Sequence, residues 1–284
     1  MKALFLGGDL RQAYACEYLN KCGIQTEYIR SCIIDESTVS KIEKTHILVL
    51  PVPTLLNGVN FNITDDSQIN IYDIFAFLNN KTIVFGGKLS IPIKDYLITK
   101  EIKYIDLFDI ESFQIQNALL SAEGAIYYAK QRLERSIHGA EIAILGFGRI
   151  GKILAYLLSS QGAKITVCAR KDSDFTWSKL IGFNGFKIKT IGNKSNIDLI
   201  NNKYDLIINT IPFWIMDESF AKSINGDTII IDLASYPYGI DESIVSEYDL
   251  KYFRELGIPG RYAPQSAGEI IAKTILNNLP IVEE

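Results

Sequence analysis

Ile142-Ala143-Ile144-Leu145-Gly146-Phe147-Gly148-Arg149-Ile150-Gly151 is the stretch that decides how this 284-residue chain folds. Four apolar residues read as a buried strand, Gly-x-Gly-x-x-Gly follows at once, and Lys152–Ser160 continues with helical period. Each glycine has a physical task. Gly146 permits the tight turn, Gly148 lets the backbone approach a pyrophosphate, and Gly151 allows the helix to pack closely on the strand. Phe147, Arg149 and Ile150 lie between them, where the N–H groups at the start of the helix attract phosphate oxygens. The next apolar run, Lys164–Cys168, falls where the second strand of a βαβ unit belongs. The segment therefore predicts a Rossmann-type dinucleotide site.

In such a site an acidic residue about 20 positions further on holds the adenosine ribose of NAD. Here the second strand runs into Cys168-Ala169-Arg170-Lys171. A guanidinium at Arg170, with Lys171 beside it, grips a 2′-phosphate through charge-assisted hydrogen bonds. NADP is the expected cofactor, with NAD kept open by Asp172 and Asp174. Later strand ends complete the nucleotide cleft: Asn209-Thr210-Ile211-Pro212 and Asp232-Leu233-Ala234-Ser235. Thr210 and Ser235 supply hydroxyls there, Ile211, Pro212 and Ala234 line the turns, and ordinary strand-ending chemistry is the competing account of Ser235.

Working outward, short apolar runs alternate with helical stretches on both sides of the fingerprint, which predicts parallel sheets built from βα units. Before it come Lys2–Leu6, Ile24–Ile29, His46–Leu50, Thr82–Phe85 and Lys103–Leu107. From it onward come Glu141–Leu145, Lys164–Cys168, Phe186–Thr190, Leu206–Asn209, Thr228–Asp232 and Lys251–Phe253. Residues 109–136, free of proline, predict a long bridging helix that Gly124 interrupts, and Asn57–Asn70 reads as an irregular surface loop. The fold class is α/β: two Rossmann-like domains with parallel sheets, joined by the long helix, with a cleft between the lobes. The expected division assigns 1–136 to an N-terminal domain for substrate and partner, completed by the C-terminal helix 264–284, and 137–263 to the NAD(P)-binding domain.

Composition narrows the function. Hydrophobic residues make up 48% and charged residues 22%, ordinary globular usage, and 29 Lys+Arg against 33 Asp+Glu leave a net charge of −4 without a basic run. Nucleic acid is not an expected partner. No apolar stretch approaches the ~18 residues of a membrane span, so no membrane role is expected. Cys16, Cys22, Cys32 and Cys168 have no metal-ligand spacing, so no metal is expected, and they read as reduced cytoplasmic thiols. Of the two histidines, His46 opens a strand and His138 sits at the domain junction, and both read as structural.

Two further features carry chemistry. In Gly7-Gly8-Asp9-Leu10-Arg11-Gln12, Asp9 is placed to cap a helix, whereas Arg11 opposes the helix dipole in the first turn. That placement asks for an anion nearby, either a substrate carboxylate bound by Arg11 or, alternatively, solvent alone. Glu123, next to Gly124 in the bridging helix, is the candidate general base, its pKa expected to rise with partial burial.

Taken together, Gly7-Gly8-Asp9-x-Arg11-Gln12, Asn117-x-x-x-Ser121-Ala122-Glu123-Gly124, the Gly146 fingerprint, Asn209-Thr210-Ile211-Pro212, Asp232-Leu233-Ala234-Ser235 and Pro259-Gly260-x-x-Ala263-Pro264-x-Ser266-Ala267-Gly268 resemble the A subunit of dipicolinate synthase, in order and spacing along nearly the entire chain. The resemblance implies an NAD(P)-dependent oxidation of a dihydrodipicolinate species to dipicolinate in the cytoplasm of the mother cell of a spore-forming bacterium. It also implies that the partner is a B subunit and the substrate a small dicarboxylate, with homo-oligomerisation left open. The substrate's carboxylates would meet Arg11, Gly260, Arg261 and Ser266, with Ser121 and Glu123 lining the cleft. Departures from the family pattern fall at Leu120, Ser121, Tyr238-Gly239 and Gln265-Ser266; serine keeps the hydroxyl where threonine is usual, while Gln265 lacks the charge of a lysine. A non-catalytic NADP-binding scaffold and a shikimate- or 2-hydroxyacid-type dehydrogenase are the alternatives.

Overall fold

The computed structural model describes residues 1–31, 35–56, 60–62, 69–188, 190–191, 194–195 and 204–280. Contacts divide the chain into two units, Met1–Asn117 with Pro259–Glu284 and Ala118–Ile258.

The first unit is built on five parallel strands, β1 (Lys2–Leu6), β2 (Gln25–Ile29), β3 (Ile47–Val49), β4 (Ile83–Gly86) and β5 (Lys103–Asp106), in the order β2-β1-β3-β4-β5. Apolar side chains appear on both faces of the central strands, as a sheet covered by helices on each side requires. Leu4, Leu6, Leu48 and Val84 face one core with Ile42 of α2 (Glu36–Glu43), Ile74 and Phe75 of α3 (Ile71–Phe75) and Ile93 and Leu97 of α4 (Ile91–Thr99). The alternate residues Ala3, Phe5, Ile47, Val49 and Phe85 face the other, with Ala15 and Leu19 of α1 (Leu10–Lys21) and Ile271, Ala272 and Ile275 of the C-terminal helix Pro264–Asn277. Much of the expected loop 57–70 lies outside the described residues, but Asn60–Phe61 pairs antiparallel with Leu55–Leu56. Cys32 also lies outside them.

The second unit carries six parallel strands, β6 (Glu141–Leu145), β7 (Lys164–Ala169), β8 (Asn184–Lys187), β9 (Leu206–Asn209), β10 (Ile229–Asp232) and β11 (Tyr252–Arg254), in the order β8-β7-β6-β9-β10-β11. This is the doubly wound Rossmann order, with its reversal between β6 and β9. The strand expected at Phe186–Thr190 begins two residues earlier, because Gly182 turns the chain at a φ of +90° and Asn184 is already paired with Thr166.

Helix α5 (Glu111–Arg132) belongs to both units. Phe113 packs in the core of the first, whereas Ala122, Ala125, Ile126 and Ala129 pack in the core of the second with Ile142 and Ile144 of β6 and with Leu154, Ala155 and Leu158 of α6 (Arg149–Ser160). Small residues along that stretch let the helix lie close to the sheet. Gly124 is buried within it and the helix is continuous.

The C-terminal helix starts at Pro264, where a missing N–H costs nothing. Its Gly268 meets α1 so closely that a Cβ would stand 2.6 Å from the Arg11 carbonyl oxygen and 2.6 Å from Tyr14 Cβ. Gly268→Ala is expected to lower stability by about 1–3 kcal/mol, the usual range for overpacking a tight interior contact. Urea denaturation of the two proteins checks it; equal midpoints would show that the two helices separate without cost.

Candidate functional site

The fingerprint glycines sit where β6 ends and α6 begins. Gly146 has a φ of +101°, and a Cβ there would stand 2.3 Å from Thr210 Oγ1. Gly151 is tighter still, its would-be Cβ 2.1 Å from the Gly146 carbonyl oxygen. Gly148 is the reverse case: its φ is an ordinary −77° and nothing lies within 4 Å of a Cβ built on it. Two glycines thus serve packing within the chain, and the third faces open space at the start of α6, which has no side-chain cap. That open face, bounded by helix-terminal N–H groups, fits a dinucleotide pyrophosphate.

The neighbouring turn is held against the fingerprint. The Thr210 N–H and hydroxyl both donate to the Leu145 carbonyl, at 2.8 and 2.9 Å, and the Gly146 N–H donates to the Cys168 carbonyl at 2.8 Å. Phe147 is buried, Ile150 and Ile211 are half-buried, and Arg149 and Pro212 are exposed. Arg170 directly follows β7, exposed and without a hydrogen bond or ion pair to any described residue. Lys171 precedes α7 (Asp172–Leu180) as its N-cap residue. The two aspartates next in sequence are engaged: Asp172 pairs with Lys187, and Asp174 lies 3.7 Å from Lys152.

Two residues read from sequence only as strand ends form a buried pair here. Asn209 ends β9, Asp232 ends β10, neither has any exposed surface, and Asn209 Nδ2 donates to Asp232 Oδ1 at 2.8 Å. A polar residue closing an otherwise apolar strand, as in Ile229-Ile230-Ile231-Asp232, was the available signal, since burial of such a group requires a partner. Ala234 beyond it is buried and Ser235 exposed.

In the first unit, the anion that Arg11 asks for is Asp9. The Asp9 carboxylate accepts the Arg11 backbone N–H at 3.0 Å, Nε at 2.8 Å and Nη2 at 2.8 Å. Burial opposes ionisation of Asp9, but the hydrogen bonds and charge of Arg11 outweigh it and hold the carboxyl below its ordinary 3.8. Gly260 lies directly over the pair, its would-be Cβ 2.7 Å from Asp9 Oδ2 and 2.8 Å from Arg11 Nε. Arg261 and Ser266 are exposed on the same segment. Gln12, next to Arg11, is buried, and neither of its amide atoms has a hydrogen-bond partner among the described residues, a feature that residue type alone did not reveal. Ser121 is buried and Glu123 half-buried on the part of α5 that belongs to the second unit. Both histidines are exposed; His46 Nδ1 accepts the Lys2 N–H, and the His138 ring lies against Gly162. Among the described residues no cluster could hold a metal ion, and no helix is long and apolar enough to cross a membrane.

Comparison with known proteins adds what the chain is similar to. Residues 2–108 match the model of the N-terminal domain of the dipicolinate synthase A subunit, and residues 141–236 match the family described as NADP oxidoreductase, coenzyme F420-dependent. The dipicolinate synthase A subunit of Bacillus subtilis is 28% identical over 246 residues, 86% of this chain and 80% of the relative. The chain is thus similar to dipicolinate synthase A subunits, in its first unit by the family model and along most of its length by the Bacillus subtilis relative. The crystal structure of the Bacillus halodurans member superposes with a TM-score of 0.84 at 24% identity, covering 98% of each chain. D-lactate dehydrogenase of Escherichia coli shares the fold at a TM-score of 0.66 and 12% identity, over 98% of this chain and 95% of that one. In this chain, then, a segment that matches the dipicolinate synthase A N-terminal domain is followed by one that matches an NADP-oxidoreductase domain.

The geometry predicts the outcome of two substitutions. Gly148→Val leaves thermal stability nearly unchanged, because the side chain enters open space, and it abolishes nicotinamide dinucleotide binding in a fluorescence titration. Asp9→Asn lowers stability at neutral pH. Because the folded carboxyl titrates below its ordinary 3.8, its stabilising contribution is complete above that pH and is lost as pH falls through the folded value. Denaturation curves of the two proteins therefore converge in acid; a constant difference down to pH about 2 would show that ionisation of Asp9 is irrelevant.

Proposed function

We propose that this chain is the dinucleotide-dependent A subunit of a dipicolinate synthase, oxidising a dihydrodipicolinate species formed from 4-hydroxy-tetrahydrodipicolinate to dipicolinate, together with a B subunit. The observation that carries the reading is the open face at Gly148 in a chain whose other unit matches the dipicolinate synthase A N-terminal domain. NADP is the preferred cofactor. Arg170 is exposed at the end of β7 and has no partner among the described residues, while Asp172 and Asp174, the nearby carboxylates that could hold a ribose hydroxyl, are paired with lysines. The same reading places the protein in the cytoplasm of the mother cell of a spore-forming bacterium.

A nicotinamide dinucleotide held at the Gly148 face would supply the hydride acceptor for the oxidation, which also requires that one proton leave the ring. Glu123 is the proposed acceptor of that proton, and loss of both gives the aromatic ring that drives the step. Arg11 commits Nε and Nη2 to Asp9, which orients the guanidinium and leaves Nη1 for a substrate carboxylate. Gly260, Arg261, Ser266 and Ser121 complete the substrate set. Arg149, at the first position of α6, adds positive charge beside the pyrophosphate.

The test is the reduction of NADP by the purified chain, alone and with its B subunit, on freshly generated 4-hydroxy-tetrahydrodipicolinate, with dipicolinate formation measured in parallel. Turnover in either setting is expected; cofactor binding without turnover in both would make the chain a scaffold. Arg170→Asp is expected to shift preference from NADP toward NAD by at least about tenfold in kcat/KM, from loss of charge-assisted bonds to the 2′-phosphate. Unchanged selectivity would remove Arg170 from the cofactor site.

A further inference from the structure

The carboxylate of Asp232 is fully buried, and four donors converge on it. Oδ1 accepts Asn209 Nδ2 at 2.8 Å and the Ala234 N–H at 2.9 Å; Oδ2 accepts the Gly239 N–H at 2.8 Å and the Tyr252 hydroxyl at 2.7 Å. Its partner Asn209 clasps the other turn, with Nδ2 donating to the Ile211 carbonyl at 3.1 Å and Oδ1 accepting the Ile211 N–H at 3.0 Å. Trp214 Nε1 joins the two loops again by donating to the Pro237 carbonyl at 2.8 Å. The fit is close: a Cβ on Gly239 would stand 2.2 Å from Asn209 Nδ2. Burial, and after it the hydrogen bond to Asp232 and the charge there, push the Tyr252 hydroxyl pKa up, so it stays a donor.

A carboxylate removed from water is a costly way to fill a core, and an apolar residue of similar size would often serve stability as well. What the buried charge supplies is fixed positions for the groups that bind it. Two of those groups are backbone N–H groups of loop 234–239, at the carboxyl end of β10, and a third, Asn209, passes the hold on to Ile211 of loop 210–216, at the carboxyl end of β9. In the doubly wound sheet the fingerprint and the end of β7 belong to the adenosine half of a dinucleotide, and the β9–β11 half takes the other nucleotide. The same loops expose Phe213, Trp214 and Tyr236, flat faces suited to a planar ring.

We propose that Asp232 is a positioning residue for the nicotinamide half of the cofactor, clamping the two loops into one surface. The proposal rests on the dinucleotide-binding reading above. It is tested on the full chain by calorimetric titration with NADPH and NADH and with their counterparts lacking nicotinamide, 2′-phospho-ADP-ribose and ADP-ribose. Hydrogen exchange of residues 233–240 is followed on the same proteins. Asp232→Asn turns an acceptor into a donor facing donors. It is expected to weaken binding of the intact dinucleotide by roughly tenfold or more, as small misplacements of a binding surface do. The counterpart lacking nicotinamide keeps its affinity, and the Ala234 and Gly239 amides exchange faster. Tyr252→Phe removes one donor and leaves three, so the same selective loss appears in weaker form; it carries the test if Asp232→Asn does not fold. Equal losses for dinucleotide and counterpart, or full dinucleotide affinity with a fast-exchanging loop, overturn the proposal alone. A wild-type chain that binds neither dinucleotide overturns the dinucleotide reading and this proposal with it.

Discussion

The start of α6 is pressed onto the end of β6, with the Gly151 Cα so near the Gly146 carbonyl that no side chain could intervene. Nearly everything about the second unit follows from that approach. It sets the helix axis against the sheet, directs the first helical N–H groups outward past Gly148, and leaves the turn so tight that Thr210 must fill the space over Gly146. A larger residue at either end would lift the helix and remove the dinucleotide cradle along with the packing of Leu154 and Leu158.

Around that contact the molecule meets one recurring demand. Parallel strands that end in loops leave backbone groups without ladder partners, and each must find another. In the second unit Asp232 and Asn209 gather them. In the first, Asp106 accepts the N–H groups of Lys88, Leu89 and Phe108, and Thr54 Oγ1 accepts that of Gly87. Asp9 does the same for α1 and takes Arg11 as its counter-charge. The carboxylates at strand ends are thus principally backbone organisers.

Legibility in the sequence varied with the range of the interaction involved. The strands of the two parallel sheets are periodic apolar runs, and a run such as Ile142–Leu145 or Leu206–Asn209 announces itself because burial on both faces tolerates little else. The fingerprint is legible for a similar reason: three glycines are each needed within a few residues of one another. Arg11 was legible only in half, as a cation out of place against the helix dipole; that the missing anion lies two residues away depends on how Asp9 folds back to cap the helix. The two halves of α5 look alike in sequence, yet Phe113 packs in one core and Ala125 in the other.

What the sequence alone determined is therefore the fold class, the place of the dinucleotide fingerprint and the likeness to the dipicolinate synthase A family, because these rest on local period and on short, fixed spacings. What only the tertiary structure decided is which polar groups are already spent. Asp172 and Asp174 are taken by lysines, Asp9 takes part of Arg11, and Asp232 is enclosed by donors from three strand ends, whereas Arg170 is left exposed. Such partnerships join residues 2 to 23 positions apart by routes that periodicity does not record, since a hydrogen bond responds to distance in space and not to separation along the chain.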